Sequence, residues 1–173
     1  MRSSADGLLL FAGLAALLQG CATLGLAVNR ALPDQARECP GPLVPTEEMF
    51  GDFFLEQNVR AQGEGFDWAL TLVTQKRGPT LVLVGLDPFG AKLFTLTQRG
   101  TEVTVERPTG RLPLPPINLL RDLHRVRLSQ AGTPPEPGVT IVLEGTGALR
   151  IHHAACGYDT TLVTVREDAL PAP

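Results

Sequence analysis

The chain has 173 residues, of which 43% are hydrophobic, and its 15 basic and 18 acidic side chains give a formal net charge of −3. Binding to nucleic acid needs clustered positive charge opposite the phosphates, and this sequence has no basic run, so we expect no nucleic-acid partner. The length suits one domain built around one hydrophobic core.

The amino terminus has the features of a lipoprotein leader. After Arg2, residues 7–18 carry no charge, and this run is shorter than the roughly 20 apolar residues that span a bilayer as a helix. The sequence Leu18-Gln19-Gly20-Cys21 resembles a bacterial lipobox, in which the cysteine becomes the lipidated first residue. We therefore predict a signal peptide over residues 1–20 and lipid attachment at Cys21. An ordinary secretory signal, with an incidental cysteine, is the alternative.

The same resemblance predicts where the protein resides. In lipoproteins with such a leader, Ala22 after the cysteine favours the outer membrane over the inner one. We expect a protein anchored to the cell outer membrane by its acyl chains and facing the periplasm.

Two further cysteines, Cys39 and Cys156, remain for the folded part of the chain. In an oxidising periplasm they can form a disulfide between the start and the end of the domain. Two free thiols are the alternative, because a sequence does not show whether the sulfurs lie within bonding distance.

Residues 21–45 have no sustained hydrophobic period and contain four prolines. Proline stiffens an extended chain and leaves its backbone solvated, so this segment predicts a tether that holds the domain away from the membrane. Residues 46–173 are then expected to form a single domain.

From about Phe53 the pattern becomes that of β-strands. Apolar and polar side chains alternate, most clearly where Val103 and Val105 lie between polar neighbours. Turn signals rich in glycine and proline separate the runs. This spacing predicts an antiparallel meander of about five strands.

The segment Pro79 to Gly100 predicts the central hairpin of this meander. Two apolar runs flank the turn Asp87-Pro88-Phe89-Gly90, in which proline presets φ and glycine accepts a positive φ. A turn is normally polar because water must solvate its free backbone groups, so Phe89 either folds back onto the hairpin or is held out for an apolar partner.

The middle strands are apolar on both faces. Val82 and Val84 lie opposite Leu81 and Leu83, which a sheet with one solvated face does not need. Either a helix and a second sheet layer cover the two faces, or the sheet is strongly curved and its concave face holds a ligand or a lid.

The carboxy-terminal part predicts one helix followed by three short strands. Apolar side chains recur at helical spacing over Ile117–Leu128, just after a run of prolines. The strands are predicted at Val139–Glu144, Ala148–His153 and Thr160–Arg166, and residues 167–173 predict a frayed tail.

The sequence contains no known catalytic motif, so we expect that the protein is not an enzyme and that it has no cofactor and no metal site. His152 and His153 are adjacent on a predicted strand, so their side chains point to opposite faces and do not share an ion. His124 is too close in sequence to Asp122 and Arg125 to share a helical face with them.

The order of these parts resembles the LolA/LolB group of bacterial envelope proteins, and more closely a family of small outer-membrane lipoproteins that looks like a divergent branch of that group. The likeness extends over about Phe53 to Leu123. It rests on the apolar strand, the Pro-apolar-Gly turn, the strand after it, and Gly100-Thr-Glu-Val-Thr-Val-Glu. The resemblance implies a mainly β (α+β) fold, a curved antiparallel sheet or incomplete β-barrel with a helical lid.

The resemblance also implies a function and candidate residues. Turn residues Pro88, Phe89 and Gly90 would contact membrane or cargo, as does a protruding leucine in LolB. The concave face would form a hydrophobic cavity, for which the candidate wall residues are Trp68, Leu70, Leu72, Leu83, Phe94, Leu96 and Leu120.

We therefore expect a monomeric lipoprotein that binds or transfers a hydrophobic cargo, such as an acyl chain or a polyene-like molecule, in envelope biogenesis. The alternative is a structural or adaptor lipoprotein of an envelope complex, in which the same apolar residues form a filled core.

Overall fold

Eight antiparallel strands, one α-helix and a short 3₁₀ helix at Thr46–Glu48 make up the regular structure in the computed structural model, which describes residues 37–49, 51–106, 112–145 and 147–171. The predicted signal peptide, Cys21 and the first part of the predicted tether lie outside these residues. The strands are β1 (Asp52–Gly63), β2 (Phe66–Arg77), β3 (Thr80–Leu86), β4 (Lys92–Arg99), β5 (Glu102–Glu106), β6 (Val139–Leu143), β7 (Leu149–His153) and β8 (Tyr158–Leu170).

The strands form one sheet in the order β5-β4-β3-β2-β1-β8-β7-β6. The first five form the predicted meander, and β8 returns to pair with β1, with Tyr158 opposite Gly63 and Leu170 opposite Asp52. Strands β5 and β6 remain at the two edges, so the sheet does not close. The predicted mainly β fold, an open antiparallel sheet with a helical lid, is confirmed.

The period-two pattern of the strands sorts their side chains between the two faces. In β1, Phe53, Leu55, Val59 and Ala61 are all buried, and their polar neighbours Asn58, Arg60 and Gln62 are exposed. Equivalent inward positions of β2, β3 and β4 join the same core cluster. The core therefore lies on one face of the sheet.

Helix α1 (Pro116–Gln130) covers this face. It starts one residue before the predicted helix and continues for two residues beyond it, with Pro116 in the first turn, where a missing N–H costs nothing. Leu119, Leu120, Leu123 and Val126 are buried in the core cluster.

We call residues 37–49 the strap, because they run along the helix and cover its polar side. The amide of Cys39 donates a hydrogen bond to Oδ1 of Asn118 at 2.9 Å, and Nη2 of Arg125 donates to the carbonyl of Pro40 at 2.6 Å. Residues 37–45, predicted as part of a solvated tether, thus belong to the folded domain, because side chains of α1 satisfy their backbone groups.

The carboxy-terminal strand is also longer than predicted. Strand β8 continues to Leu170, so most of the segment predicted as a frayed tail is paired. The pairing with the start of β1 accounts for the difference, since Asp168 lies opposite Phe54 and Ala169 opposite Phe53.

Candidate functional site

The turn between β3 and β4 holds its aromatic side chain in solvent. Phe89 is 95% exposed. Of the two alternatives that the sequence left open, the structure therefore has the one in which Phe89 is held out, and it does not pack on its own hairpin.

Hydrogen bonds fix the shape of this turn. Oδ1 of Asp87 accepts from the amide of Phe89 at 2.9 Å and from the amide of Ala91 at 2.8 Å. The Asp87 amide donates to the carbonyl of Ala91, and the Gly90 amide donates to the carbonyl of Asp87, both at 2.9 Å. Gly90 has a φ of 85°, which glycine adopts without strain. The turn thus presents Phe89 on a preorganised backbone.

The residues predicted to line a hydrophobic cavity instead lie in the packed core beneath α1. Their inward positions follow the strand period, and the helix leucines fill the concave face between them. Six of them are buried, namely Leu70, Leu72, Leu83, Phe94, Leu96 and Leu120, and Trp68 is half-buried against the same cluster. In this conformation the concave face is occupied by the protein itself.

An apolar cavity of about 300 Å³ lies at the carboxyl end of α1. The strap and the start of β1 form one wall through Val44, Met49 and Phe53, and the helix forms the other through Leu128 and Ala131. No sequence pattern indicated this cavity, because one wall includes Val44, from the segment interpreted as a tether.

Beside this cavity, a hydrogen-bond network ties α1 to the strap. Burial lowers the pKa of His124 to about 4, so its imidazole is neutral at pH 7. The Val44 amide lies 3.3 Å from Nδ1 of His124 and donates to it, which leaves the proton on Nε2, 2.8 Å from Oε1 of Gln98. Nε2 of Gln98 in turn donates to the carbonyls of Val44 and Gly100.

Thr46 fastens the end of the strap to two turns of the sheet. Its hydroxyl donates to the carbonyl of Pro79 at 2.7 Å and accepts from the amide of Gly100 at 3.0 Å. The strap is therefore bound to both the helix and the sheet.

A second network, buried except for the partly exposed Glu136, contains charged groups. Nη1 of Arg125 donates to Oδ1 of Asp122 at 2.9 Å, and Nε of Arg125 donates to Oε1 of Glu136 at 2.7 Å. Partial burial acts to raise the pKa of Glu136, but its hydrogen bond from Arg125 contributes to holding that pKa below the usual range. Asp122 and Arg125, three residues apart on α1, share a helical face, a pairing that was not predicted from the sequence.

His153 brings β7 into this network. Its Nε2 lies 3.0 Å from Oδ1 of Asp122, a close polar contact whose angle is not that of a hydrogen bond. Its ring stacks on Tyr158 with centroids 4.3 Å apart. Burial, with the nearby carboxylate of Asp122, raises the pKa of Tyr158. The strand alternation does place His152 on the other face, exposed and 2.5 Å from Asp159.

Cys39 and Cys156, the two cysteines named from the sequence, form a disulfide with their Cα atoms 5.8 Å apart. The bond joins the strap to the turn between β7 and β8. It lies next to the buried charged network, since Nδ1 of His153 is 4.0 Å from Sγ of Cys39.

Within the described part of the chain, no grouping of three or more His, Cys, Asp or Glu side chains is arranged to hold a metal ion. None of its helices has the length and apolar character needed to cross a membrane.

The chain matches the sequence model of a known protein family. The sequence model of a family described as a protein of unknown function (DUF3261) matches residues 55–165, well over half of the chain. The matched span includes the exposed turn, helix α1 and the turn that carries Cys156, and the strap precedes it. No curated protein matches the chain.

Proposed function

This chain belongs to the DUF3261 family, and we propose that it works as an outer-membrane lipoprotein that binds or transfers a hydrophobic cargo, such as an acyl chain or a polyene-like molecule. The observation that carries the proposal is Phe89, 95% exposed on a turn that hydrogen bonds hold in shape. Burying a phenylalanine side chain contributes about 2–3 kcal/mol, which makes this tip an anchor for a bilayer interface or an apolar partner.

The sheet registers support an orientation in which the end of the sheet that carries Phe89 faces the membrane. Because the strands are antiparallel and Tyr158 pairs with Gly63, the β1–β2, β3–β4 and β7–β8 turns all lie at the same end of the sheet. The tip at Phe89 is therefore at the end where the disulfide holds Cys39.

The proposed lipid anchor enters the domain at that end as well. Cys21 precedes Cys39 by 18 residues, a chain length that spans at most about 60 Å when fully extended. A lipid on Cys21 thus brings the membrane within reach of the end that carries Phe89, which suits an apolar tip that inserts into the interface.

Cargo binding requires a second conformation, because α1 occupies the concave face. In the proposed cycle the helix moves away from the sheet, and the apolar chain of the cargo takes the place of Leu119, Leu120 and Leu123. The resemblance to the LolA/LolB group supports this role, since those proteins have a half-barrel with a helical lid. The cavity beside Met49 and Phe53, about 300 Å³, is a starting point for such entry.

Depth-dependent quenching in vesicles tests the tip. The full chain with Phe89→Trp is reconstituted into phospholipid vesicles that contain brominated lipids, and its quenching is compared with that of the parent, which has only Trp68. Leu143→Trp, at another exposed apolar position, is the matched control. We expect added quenching for the tip variant alone; equal quenching in both variants contradicts the role of Phe89.

The adaptor function is the second candidate, and the filled concave face favours it. Native mass spectrometry of protein purified gently from its own host, followed by organic extraction, separates the two. A bound lipid or polyene at one molecule per chain supports the carrier. Empty protein that takes up neither fatty acid nor lipopeptide supports the adaptor.

A further inference from the structure

The surroundings of the Cys39–Cys156 disulfide indicate that this bond has a role beyond cross-linking the fold. We propose that this bond is a redox-active clasp, which an external dithiol opens by attack at Cys156 and which, when closed, holds the strap over α1. The inference concerns the strap alone and does not depend on any cargo.

The two sulfurs differ in access. Cys39, in the strap, is buried and only 3% exposed. Cys156 is half-buried in a turn whose other members, Ala154, Ala155 and Gly157, are exposed. An attacking thiolate therefore reaches the sulfur of Cys156 first, and the sulfur of Cys39 is the leaving group.

The leaving sulfur faces a group that stabilises its negative charge. Nδ1 of His153 lies 4.0 Å from Sγ of Cys39, while Nε2 lies 3.0 Å from Oδ1 of Asp122. The stacking on Tyr158 fixes the plane of the imidazole ring. An imidazole N–H donates more strongly to a thiolate than to a disulfide sulfur, so a proton on Nδ1 of His153 favours release of Cys39 as the thiolate.

Charged groups around His153 hold the carboxylate of Asp122 in position beside its ring. Arg125 donates to Asp122 and to Glu136, so the carboxylate beside His153 is oriented from the helix side. The result is a line of cysteine, histidine and aspartate contributed by the strap, β7 and α1. His153 acts in it as a positioning residue for the leaving thiolate of Cys39.

The exchange balances with one dithiol. The first thiolate forms a mixed disulfide with Cys156 and releases Cys39 as a thiolate, which is in equilibrium with its protonated thiol form. The second thiolate of the reagent then attacks the reagent's other sulfur, which is bonded to Cys156 in the mixed disulfide, and Cys156 is released. The protein disulfide gains two electrons and two protons, and the dithiol becomes a disulfide.

Opening the clasp removes the covalent link between the strap and the β7–β8 turn. The strap then keeps its non-covalent contacts, such as the hydrogen bonds from Arg121 to the carbonyl of Cys39 and from Arg125 to the carbonyl of Pro40. Breaking the bond thus frees the start of the strap without disturbing the sheet registers.

The site of attack is tested on the unmodified full chain. The protein is treated briefly with reduced glutathione, quenched with acid and mapped by mass spectrometry. We expect glutathione on Cys156 in at least tenfold excess over Cys39. Equal labelling, or labelling mainly at Cys39, overturns the proposal, and so does a bond that withstands millimolar dithiothreitol in the folded protein.

Two variants test the part played by His153. His153→Gln keeps a polar side chain, and His152→Gln, the neighbouring exposed histidine, is the matched control. We expect the first to lower the equilibrium constant for reduction about tenfold, equivalent to roughly 30 mV, and the second to leave it unchanged. The thiolate absorbance of the reduced protein at neutral pH should also fall in the first variant only. No change in either quantity in folded His153→Gln protein contradicts the assignment.

Hydrogen exchange tests the clasp itself, and it uses protein without substitutions. After reduction and alkylation, amides of residues 37–45 should exchange at least tenfold faster, while those of β1 to β4 stay protected. Unchanged protection of the strap would mean that the disulfide is a structural cross-link only.

Discussion

Gly41 of the strap lies directly against the guanidinium of Arg125, so closely that a Cβ at residue 41 would overlap Nη2. The guanidinium has no freedom to move away, because Pro40, Asp122 and Glu136 all accept hydrogen bonds from it. The absence of a side chain at residue 41 is therefore what allows the strap to reach the buried arginine.

Gly41→Ala should destabilise the domain. The added methyl group displaces Arg125 or the strap, and overpacking of this kind costs about 1–3 kcal/mol. Urea unfolding measures the change in the free energy of unfolding. Gly145→Ala is the matched control, since a Cβ there meets nothing within 4 Å, and equal stability of the two variants would show that the strap is not packed as described.

Asp122→Asn should cost more, because it removes the negative charge that Arg125 and His153 face within the core. Removing one partner of a buried ion pair typically costs about 3–5 kcal/mol. The control is Asp159→Asn in the exposed pair with Arg150, which should cost at most about 1 kcal/mol. Thermal unfolding of both variants at pH 7 gives the comparison, and a small effect at residue 122 contradicts a charged core.

The meander was predictable because its partners are neighbours in sequence. The alternation from Phe53 onward identifies the buried face of each strand, and the turn at Asp87-Pro88-Phe89-Gly90 identifies the central hairpin. The pairing of Cys39 with Cys156 could be named because only two cysteines remained after Cys21.

The buried network was not predictable, because its members are far apart in sequence and polar. Cys39 and Asn118 are 79 residues apart, and a proline-rich segment usually has a solvated backbone. Here side chains of α1 replace the water. Residues 167–173 were likewise predicted as a frayed tail because they end the chain, although Glu167 and Asp168 lie on the continuous strand β8.

Acid should destabilise the protein through His124. Its pKa is about 4 in the folded state and near 6.5 when unfolded, so the unfolded state binds the proton first. The stability from this group is present above pH 6.5 and is lost as the pH falls toward 4, by about 3 kcal/mol in all.

Urea unfolding at intervals between pH 7 and pH 4 measures this dependence. His124→Gln should flatten the curve over that range, while His152→Gln, which is exposed, should keep the slope of the parent. A slope that persists in the His124 variant would assign the acid sensitivity to other groups.

Asp87→Ala should loosen the tip without unfolding the domain. Its carboxylate accepts from the amides of Phe89 and Ala91, and each lost hydrogen bond costs about 1 kcal/mol of local stability. Amide exchange at residues 89 and 91 should accelerate about tenfold, while the unfolding midpoint changes little. Asp67→Ala, at the exposed pair with Arg60, is the control and should leave the tip unchanged.

Because a mobile tip loses its preorganisation, the Asp87 variant should also insert Phe89 less well in the vesicle assay. Full insertion despite fast exchange would show that the side chain alone is sufficient.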